Sequence, residues 1–574
     1  MKFGVLALDY DGTIARDGVL SPDVKSAIAE ARARGIVVII VTGRILSELR
    51  IVCGDLNFVD AVVAENGAVV AFPDAQTRIA GQLPPQIFFD ELRRRGVASK
   101  SGQCIVEVDA SAGPAVLATI RDLQLPLVIL FNLGRLMVLP QAISKGTGLR
   151  NALHILRLSP HNAIAIGDAE NDHDLLASCE LAAAVGWGSK VLQAAADEVV
   201  NGDGPSAVAA YIRRAIAQTR LPAARVGRHS LTLGTDHDGR SVTSDVSGAN
   251  VLIVGDSHSG KSWLTGLVCE QLILQGYSLC IIDPEGDYGE LESLPGVLVL
   301  EAGKQPPEMA DVAYAIRHFD LSVVVDLSHV NLQEKLDYLK TLLPMLAFIR
   351  RTMGLPHRIV VDEAHYFLRE PDIKQLLDLQ LGAYTIVTYR PSDLHPDFRS
   401  AIDLVLAKRL TNIDEANALR AIVTEAHVGI GDTAILGALA TDEAVVARKG
   451  ADEQLRRFRL MPRLTKHVRH MEKYFDLDVV GGQEFLFTED GKPVGSPAKS
   501  LKEFGALLQG HAANSTGDHA RRGDFSRWIA DVFHDYLLAS QVRKIEQQYR
   551  LSHLSDVRQP IAALILKQYG GSAR

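Results

Sequence analysis

Short apolar runs rich in β-branched residues alternate with amphipathic stretches over residues 1–215. This alternation is typical of a parallel sheet whose strands are connected by helices. The clearest predicted helix begins near Ser21, which can cap its first turn, has Pro22 at its start and ends at Gly35. The segment from about 83–140 interrupts the alternation with its own short strands, and we interpret it as an inserted α/β cap.

A second α/β pattern begins near residue 228 and continues to about residue 460. Its predicted strands are VLIVG, LCIIDP, SVVVDL, IVVDE and YTIVTY. The last hundred or so residues differ, because a predicted hairpin, QEFLFTEDGKPVG, is followed there by polar helices. We therefore expect three domains, over residues 1–220, 221–460 and 461–574.

The composition is that of a globular protein, because 47 % of the 574 residues are hydrophobic and 22 % are charged. A net charge of −9 argues against a protein that coats nucleic acid, although a basic channel inside an oligomer stays open. The five cysteines lack CxxC spacing, so the cysteines predict neither a zinc site nor a disulfide framework. Without an apolar stretch near 18 residues or a basic leader, the chain is expected to be cytoplasmic and not membrane-bound.

Polar side chains follow the apolar strands of the first domain at the points where the strands end. They are Asp9, Asp11, Thr42, Lys145, Asp168 and Asp172. Open parallel sheets bind ligands at the carboxyl ends of their strands, so we expect these residues to converge in one crevice. Clustered carboxylates repel one another unless a cation neutralises them, and such oxygen ligands suit Mg²⁺.

The strings DYDGT, VTGR, SKG and GDAEND together resemble the four motifs of the haloacid dehalogenase-like phosphohydrolases, in the family's order. ENGA at 65–68 and the cap position resemble the Cof-type branch, which includes archaeal phosphoglycolate phosphatases and sugar-phosphate phosphatases. The resemblance covers about residues 1–215 and implies a Rossmann-like core that hydrolyses phosphomonoesters. It implies that Asp9 is the nucleophile that forms an aspartyl-phosphate, and that Asp11 is the general acid and base.

The same resemblance assigns the remaining polar residues of the first domain. Thr42 and the Gly43 amide would hold phosphoryl oxygens, and Lys145 would offset their charge. The expected ligands of Mg²⁺ are Asp9, Asp168 and the Asp11 carbonyl, with Asp172 supporting them. Substrate contacts are expected from Arg44, Asn66 and Asn171. Aspartate at a strand end also serves as a turn former or helix cap, which is the structural alternative, and the substrate stays open.

The stretch VLIVGDSHSGKSWLTGLV places a GxxxxGK[ST] pattern between a strand and a helix. Its phosphate-binding residues are Gly255, Ser259, Gly260, Lys261 and Ser262. The glycines let backbone amides surround a phosphate chain, the lysine reaches the terminal phosphates, and the serine hydroxyl can bind Mg²⁺. In RIVVDEAH, we expect Asp362 to hold the metal through its hydration shell and Glu363 to polarise the attacking water.

LCIIDPEGDYGEL, YTIVTYRPSDLHP and VLAKRLTNIDEA resemble the HerA-like branch of the FtsK/HerA translocase ATPases. This resemblance implies a RecA-like domain that binds ATP, with Thr388 as a polar sensor. It also implies a hexameric ring in which Arg390 or Arg409 completes a neighbour's site, although ordinary salt bridges are an equal alternative. The sequence departs from relatives at Tyr389, where glutamine is common. The small barrel that usually precedes the ATPase is absent or reduced to LTLGTDHDGRSV.

Some polar residues of these regions have a functional and a structural interpretation. Asp283 and Glu285 are either part of the ATPase site or turn residues. In the C-terminal region, His467 and His470 could bind a metal but are more often inert at such spacing. Trp528, Ile529, Val532 and Phe533 have the spacing of a helical core stripe. The region weakly resembles a helical module appended to bacterial carbohydrate enzymes, and we expect an interaction or oligomerisation domain.

The resulting hypothesis is a bifunctional protein, a Mg²⁺-dependent phosphatase fused to an ATP-hydrolysing HerA-like domain that drives or regulates it. The expected partners are a phosphorylated small molecule or nucleotide, ATP and further copies of the chain. One alternative is a DNA-acting HerA-like motor for repair or phage defence, with the phosphatase unit processing nucleotides or DNA ends or serving as a scaffold. A purely regulatory ATP-binding protein is the third possibility, and Glu363 argues against it.

Overall fold

In the computed structural model, the described residues are 2–74, 76–132, 134–218, 220–221, 227–245, 248–257, 259–302, 305–368, 376–424, 434–449, 456–465, 479, 483–489, 492–533 and 536–569. The chain divides into two compact units, residues 1–466 and 467–574. The first unit contains both predicted catalytic domains, and the limits proposed between the domains remain predictions.

The N-terminal part of the first unit contains fourteen described strands and eight described helices. The strands are β1 (Val5–Asp9), β2 (Ala15–Arg16), β3 (Val19–Leu20), β4 (Val37–Val41), β5 (Ala61–Ala64), β6 (Val69–Ala71), β7 (Thr77–Ile79), β8 (Ser99–Ser101), β9 (Val106–Asp109), β10 (Leu127–Asn132), β11 (Arg135–Pro140), β12 (Ala163–Gly167), β13 (Leu181–Val185) and β14 (Glu198–Val200). The helices are α1 (Pro22–Ala33), α2 (Leu46–Cys53), α3 (Gln86–Arg94), α4 (Gly113–Asp122), α5 (Lys145–Leu156), α6 (His173–Ala177), α7 (Lys190–Ala195) and α8 (Pro205–Ile216).

Eight of these strands form one sheet in the order β14-β13-β12-β1-β4-β5-β6-β7, with β1 parallel to both of its neighbours. Strands covered on both faces appear in sequence as continuous apolar runs, and all five residues of β1 and of β12 are buried. The inserted cap is a second, antiparallel sheet, β10-β11-β9-β8, accompanied by α3 and α4. The predicted Rossmann-like core with a small α/β cap is therefore confirmed.

The remainder of the first unit contains the second α/β pattern. Its strands are β15 (Ser230–Thr235), β16 (Ser241–Asp245), β17 (Val251–Val254), β18 (Leu279–Asp283), β19 (Val297–Glu301), β20 (Ser322–Asp326), β21 (Arg358–Val361), β22 (Tyr384–Thr388), β23 (Leu404–Ala407), β24 (Glu443–Arg448) and β25 (Arg456–Leu460). Its helices are α9 (Lys261–Leu274), α10 (Met309–Ile316), α11 (Leu332–Met353), α12 (Pro396–Ser400), α13 (Ile413–Thr424) and α14 (Ala434–Gly437).

These strands form an eleven-stranded sheet in the order β16-β15-β25-β24-β23-β17-β22-β21-β18-β20-β19. The part from β23 to β19 is parallel, as the predicted RecA-like domain requires, and the other four strands add antiparallel pairs. The LTLGTDHDGRSV stretch forms the hairpin of β15 and β16, which extends this sheet through β25. It is therefore an edge of the eleven-stranded sheet in the described structure.

The two sheets of the first unit contact each other at residues that precede their strands. Lys2, before β1, donates to the carbonyl of Thr352 at the end of α11. Asn162, before β12, donates to the carbonyl of Gly354 at 3.5 Å. Tyr277, before β18, donates its phenolic proton to Glu180, before β13, at 2.9 Å. Because the central strands of both sheets are parallel, their carboxyl ends point away from this contact.

The C-terminal unit contains a short hairpin, β26 (Thr488–Glu489) with β27 (Lys492–Pro493), and a group of helices. The helices are α15 (Leu501–Gly510), α16 (Ala513–Arg522), α17 (Asp524–Trp528), a π-helical turn (Ile529–Phe533), α18 (Tyr536–Arg550) and α19 (Arg558–Tyr569). The aromatic rings of Phe485, Phe504, Phe525 and Trp528 contact one another in its core. The predicted helical stripe is thus core, whereas His467 and His470 lie outside the described residues. Among the described helices, none is long and apolar enough to cross a bilayer.

Candidate functional sites

The first site lies at the carboxyl ends of β1 and β12. The parallel register pairs Leu8 with Ile166, so Asp9 and Asp168 leave neighbouring strands at the same edge. Asp172 lies in the 3₁₀ turn that follows β12. One oxygen from each of these three carboxylates lies within 4.8 Å of the others, and all three residues are buried. The predicted convergence of these aspartates is what the strand register produces.

A single buried lysine joins two of these carboxylates. The Lys145 ammonium donates to Asp9 Oδ1 and to Asp172 Oδ1, both at 2.6 Å, and its side chain is only 2 % exposed. Burial alone would lower the pKa of Lys145, but Asp172 and Asp9 outweigh burial and raise it. Lys145 is placed by the N-terminus of α5, which Ser144 caps through the Thr147 amide at 3.2 Å. One ammonium thus faces three carboxylates, which leaves negative charge uncompensated.

The carboxylate oxygens fit a hard divalent cation. Asp9 Oδ2 is buried and accepts no hydrogen bond from the described residues. Burial, Asp172 and Asp168 raise the pKa of Asp9 well above its ordinary range although Lys145 lowers it, and burial together with Asp172 raises that of Asp168 to about 6. The one ammonium of Lys145 therefore does not offset the burial and mutual repulsion of these carboxylates, and Mg²⁺ with its preference for oxygen ligands would supply the missing positive charge.

Asp172 differs from the other two, because both of its oxygens are already engaged. Oδ1 accepts from Lys145, and Oδ2 accepts from the amides of Asp168 and Ala169 at 3.0 Å. It therefore holds the loop that presents Asp168, in agreement with the supporting role expected from the sequence. Thr13 adds a hydrogen bond of 3.2 Å to Asp168 Oδ1.

Arg44 makes a bidentate pair with Asp11, with Nε–Oδ2 at 2.6 Å and Nη2–Oδ1 at 2.7 Å. The expected substrate contact and the expected general acid are thus partners of each other in this structure. Thr42 is buried at the end of β4, and its hydroxyl accepts from the Arg44 amide at 3.1 Å. Gly43 is partly exposed between them. The pairing fixes Asp11 by two parallel hydrogen bonds rather than leaving it mobile.

The ENGA stretch turns directly behind this cluster. Asn66 has a φ of 56°, and its side-chain oxygen lies 3.5 Å from the Asn171 amide nitrogen, with both residues buried. Sequence reasoning missed Glu65, whose carboxylate accepts from the Gln103 and Cys104 amides at 2.8 Å. Glu65 therefore joins the cap to the core. The sequence signal that could have indicated this role is a charged residue placed between a buried strand and a turn.

The second site lies at the carboxyl end of β17, where the P-loop leads into α9. Gly260 has a φ of 94°, and Lys261 begins the helix and donates to the Asp256 carbonyl at 3.0 Å. A Cβ on Gly255 would lie 2.6 Å from the Ser259 hydroxyl, so the close turn requires glycine there. The Ser262 hydroxyl donates to Asp287 Oδ2 at 2.7 Å. The loop therefore has the helix-terminus geometry that binds phosphate chains.

Asp287 is the functional residue that sequence reasoning missed at this site. It lies beside Ser262, and together with burial its charge raises the pKa of Asp362 to about 6. Asp362 accepts a hydrogen bond of 2.9 Å from the Tyr288 hydroxyl. A serine hydroxyl and two carboxylates thus form an oxygen-rich corner suited to Mg²⁺. The alternation of acidic residues in DPEGDY was the signal, but it did not distinguish Asp287 from its neighbours.

Asp283 has the turn role that was one of its two interpretations. Its Oδ1 accepts from the amides of Gly286 and Asp287 at 2.7 and 3.0 Å. Its Oδ2 accepts from the backbone amide of Tyr288 at 2.9 Å. Asp283 therefore shapes the loop that presents Asp287. The Glu285 amide donates to Asp283 Oδ1 at 3.3 Å, so its backbone belongs to the same turn.

The remaining predicted residues of the second site follow β21 and β22. Glu363 has a φ of 46° and donates its amide to Asp362 Oδ1 at 2.8 Å. The Thr388 hydroxyl accepts from the Arg390 amide at 3.0 Å and lies 3.4 Å from His365 Nδ1. The Tyr389 ring contacts His365 with centroids 4.3 Å apart and lies 6.0 Å from Lys261 Nζ, so this residue faces the P-loop lysine.

Arg390 and Arg409, the two arginines expected to complete a neighbour's ATP site, are exposed in the single chain. Arg390 lies 3.8 Å from Asp393 and over the Tyr389 ring, which is a local salt bridge of the kind weighed as the alternative. The Arg409 carbonyl accepts from the Asp256 amide at 2.8 Å, so its backbone borders the P-loop. Neither position distinguishes the two interpretations.

These geometries define a phosphohydrolase-type Rossmann core followed by a P-loop domain, and comparisons with known families agree. Residues 6–92 and 125–212 match the family model of the haloacid dehalogenase-like hydrolases. Residues 244–369 match the model of the central domain of the helicase HerA. The chain therefore combines a haloacid dehalogenase-like hydrolase domain with a HerA-like domain, as the motif strings indicated.

Curated relatives cover the first domain. A phosphoglycolate phosphatase of Methanopyrus kandleri is 27 % identical over 224 residues, which are 37 % of this chain and 96 % of that protein. A phosphoglycolate phosphatase of Halorubrum lacusprofundi is 29 % identical over 223 residues, which are 36 % of this chain and 96 % of that protein. Among solved structures, a haloacid dehalogenase-like hydrolase from Bacteroides thetaiotaomicron has 17 % identity and a TM-score of 0.34, covering 37 % of this chain and all of that one.

The raised pKa values predict how Mg²⁺ binding depends on pH. Asp168 must be ionised to bind the cation, so without nucleotide the affinity for Mg²⁺ should fall as pH drops below about 6, by about tenfold per unit where one proton competes. A raised carboxyl pKa also means that the metal-free protein loses stability as pH rises through about 6, which Mg²⁺ should restore. The thermal shift produced by Mg²⁺ should therefore be larger at pH 7.5 than at pH 5.

The control for this experiment is Asp168→Asn, which keeps the size of the side chain and removes its titration. This variant should show a small Mg²⁺-induced shift that barely changes with pH. A wild-type shift that is the same at both pH values would contradict the assignment of Asp9 and Asp168 as cation ligands.

Proposed function

We propose that this chain is a Mg²⁺-dependent phosphomonoester phosphatase joined to an ATP-hydrolysing HerA-like domain. The observation that carries the first half is the buried cluster of Asp9, Asp168 and Asp172 with one lysine, beside the Asp11–Arg44 pair. Uncompensated negative charge with an acid nearby suits a site that takes a cation and a phosphoryl group together. The phosphoglycolate phosphatases that match this domain along nearly their whole length support the same chemistry.

In the proposed reaction, a carboxylate oxygen of Asp9 attacks phosphorus, and the bond to the leaving oxygen breaks. Asp11 gives up one of its two hydrogen bonds with Arg44 to carry a proton, which it donates to that oxygen, and the phosphoryl group stays on Asp9 as an aspartyl-phosphate. Asp11 then takes a proton from water, whose oxygen attacks phosphorus; the bond from phosphorus to the Asp9 oxygen breaks, which releases phosphate and restores the Asp9 carboxylate. When bound, Mg²⁺ supplies charge neutralisation between Asp9 and the phosphoryl oxygens. Lys145 and Thr42 hold and neutralise the same oxygens, and Arg44 orients Asp11.

We propose a small phosphorylated metabolite as the substrate, with the cap covering the site. Glu65 fixes the base of that cap through two backbone amides, so the cap has a defined attachment over the cluster. Phosphoglycolate is the first compound to test, because the relatives of this domain are named for it. Arg44 offers a cation close to Asp11 for an anionic leaving group.

The Asp9→Asn variant tests the phosphatase assignment. Asparagine keeps the shape of the side chain but removes the nucleophile, so hydrolysis of phosphoglycolate or a generic phosphomonoester should fall roughly 10⁴-fold or more. Phosphate release measured with and without Mg²⁺ provides the assay. Asp90→Asn, on the exposed face of α3, is the matched control and should retain full activity. Undiminished hydrolysis in Asp9→Asn would refute the nucleophile assignment.

For the second half, we propose that Lys261 and Ser262 hold the phosphates and Mg²⁺ of ATP, with Asp362 and Asp287 completing the metal's surroundings. Glu363 would then polarise the attacking water. Two observations in the structure support this proposal: the Ser262–Asp287 hydrogen bond and the raised pKa of the nearby Asp362. The match of residues 244–369 to the model of the HerA central domain supports it as well. We further propose ring assembly, with exposed Arg390 or Arg409 reaching a neighbour's site.

Lys261→Ala tests ATP hydrolysis separately. Loss of the ammonium should abolish measurable ATP turnover while phosphatase activity persists, because the two sites lie on different sheets. Glu363→Gln should still bind ATP but turn it over at least about 100-fold more slowly. The measurements are phosphate release from ATP and binding of a fluorescent nucleotide. ATP turnover that is unchanged in Lys261→Ala would exclude the P-loop as the hydrolytic site.

A DNA-acting motor is the second candidate, because the matched model is that of a helicase domain. The same ATPase assay separates it from a phosphatase regulator. DNA-stimulated turnover with binding that weakens steeply with salt would favour the motor. A phosphatase rate that responds to ATP, with no effect of DNA, would favour regulation.

A further inference from the structure

A second group of potential metal ligands lies at the contact between the two sheets of the first unit, away from both phosphate sites. Its members are His161, which precedes β12, Glu180, which precedes β13, and His229, which precedes β15. One ligand atom from each lies within 4.8 Å of the others. His161 and Glu180 belong to the hydrolase core, whereas His229 directly precedes the first strand of the ATPase sheet.

The protonation of His161 follows from its neighbours. Its Nε2 lies 3.0 Å from the Gln275 carbonyl, which can only accept, so Nε2 carries a proton. Its Nδ1 lies 2.9 Å from Glu180 Oε2, and the same oxygen accepts from the Tyr277 hydroxyl at 2.9 Å. In a neutral His161, the Nδ1 lone pair therefore faces a carboxylate oxygen. A positive species, either a proton or a metal ion, must lie between them.

His229 distinguishes these two possibilities. Its Nε2 lies 3.8 Å from the same Glu180 oxygen and has no hydrogen-bond partner among the described residues, although the side chain is only 11 % exposed. A proton on His161 would leave this buried nitrogen unsatisfied, whereas a metal ion would bind all three atoms.

The charge and spacing agree with an ion at this position. Glu180 supplies the one carboxylate of the cluster, and its side chain is only 4 % exposed. Ligands at about 2.0–2.2 Å from one tetrahedral ion lie about 3.4 Å from one another, and the observed separations are 2.9 and 3.8 Å. A histidine that binds metal usually donates its other ring proton to a carbonyl or carboxylate, as His161 does to Gln275.

We propose that His161, Glu180 and His229 form a zinc site that joins the hydrolase core to the ATPase sheet. Two imidazoles and one carboxylate are donors that suit Zn²⁺ better than Mg²⁺. The ion would lie where the amino ends of the two sheets meet. Tyr277 and Gln275, which precede β18 of the eleven-stranded sheet, would orient its ligands Glu180 and His161. His357 is not a ligand, because its Nδ1 accepts from the Ser278 amide at 2.8 Å and its Nε2 therefore carries the proton.

The test measures zinc in the full chain directly. The protein is stripped with a chelator, loaded with Zn²⁺ in excess Mg²⁺ so that the oxygen-rich sites hold magnesium, and gel-filtered before elemental analysis. Wild type should retain one zinc per chain, and Co²⁺ in its place should give the visible absorption of a four-coordinate ion. His229→Gln and Glu180→Gln should each weaken zinc binding by at least about tenfold.

Two controls make the result specific. His237→Gln, whose side chain is 88 % exposed, should retain zinc. Asp9→Asn should also retain it, which separates this site from the phosphatase cluster. Circular dichroism verifies folding of each variant, and a variant that fails to fold leaves the other ligand variant and the wild-type stoichiometry to decide. Absence of zinc from wild type, or equal retention by folded His229→Gln, would overturn the proposal and leave a protonated His161.

Discussion

The arrangement of the hydrolase site depends on the Lys145 ammonium, which is shared by Asp9 and Asp172 inside the core. This lysine is fixed by the start of α5, and the aspartates are fixed by β1 and by the turn after β12. A buried ion pair stabilises a site only when its geometry satisfies every charge. Here one positive group faces three carboxylates, so the fold holds a deficit of positive charge that a divalent cation removes.

Carboxylates also gather at the carboxyl end of the parallel strands in the eleven-stranded sheet. Asp362 and Asp287 lie near the Ser262 hydroxyl. The carboxylate oxygens of Asp283 accept hydrogen bonds from backbone amides and so shape the loop that contains Asp287. In both sheets the polar residues follow the carboxyl ends of parallel strands. The amino ends of the two sheets meet instead at the cluster around Glu180. This arrangement places the two candidate phosphate sites at the strand ends that lie away from the contact between the sheets.

Sequence patterns singled out the candidate site residues that lie close together in the chain, and their roles stay predictions. Asp9 and Asp362 could be placed because an apolar strand ends beside each of them, and Lys261 because the glycine pattern that follows β17 leads into α9. Glu65 and Asp287 were missed, since their roles depend on a distant cap loop and on one of several neighbouring carboxylates. The His161–Glu180–His229 cluster was also missed, because its members are separated by 19 and 49 positions and only the contact between sheets unites them. The pairing of β24 and β25 between β23 and the hairpin of β15 and β16 likewise follows from tertiary contacts.

Whether a cation and a phosphoryl group occupy the first cluster together is the central question. The most direct measurement is a crystal structure of the full chain with Mg²⁺ and beryllium trifluoride, which mimics a phosphoryl group on a carboxylate. The account predicts beryllium bonded to Asp9, with Mg²⁺ held between Asp9 and Asp168. Clear density for Lys145 and the three carboxylates, with neither beryllium nor a cation among them, would contradict it.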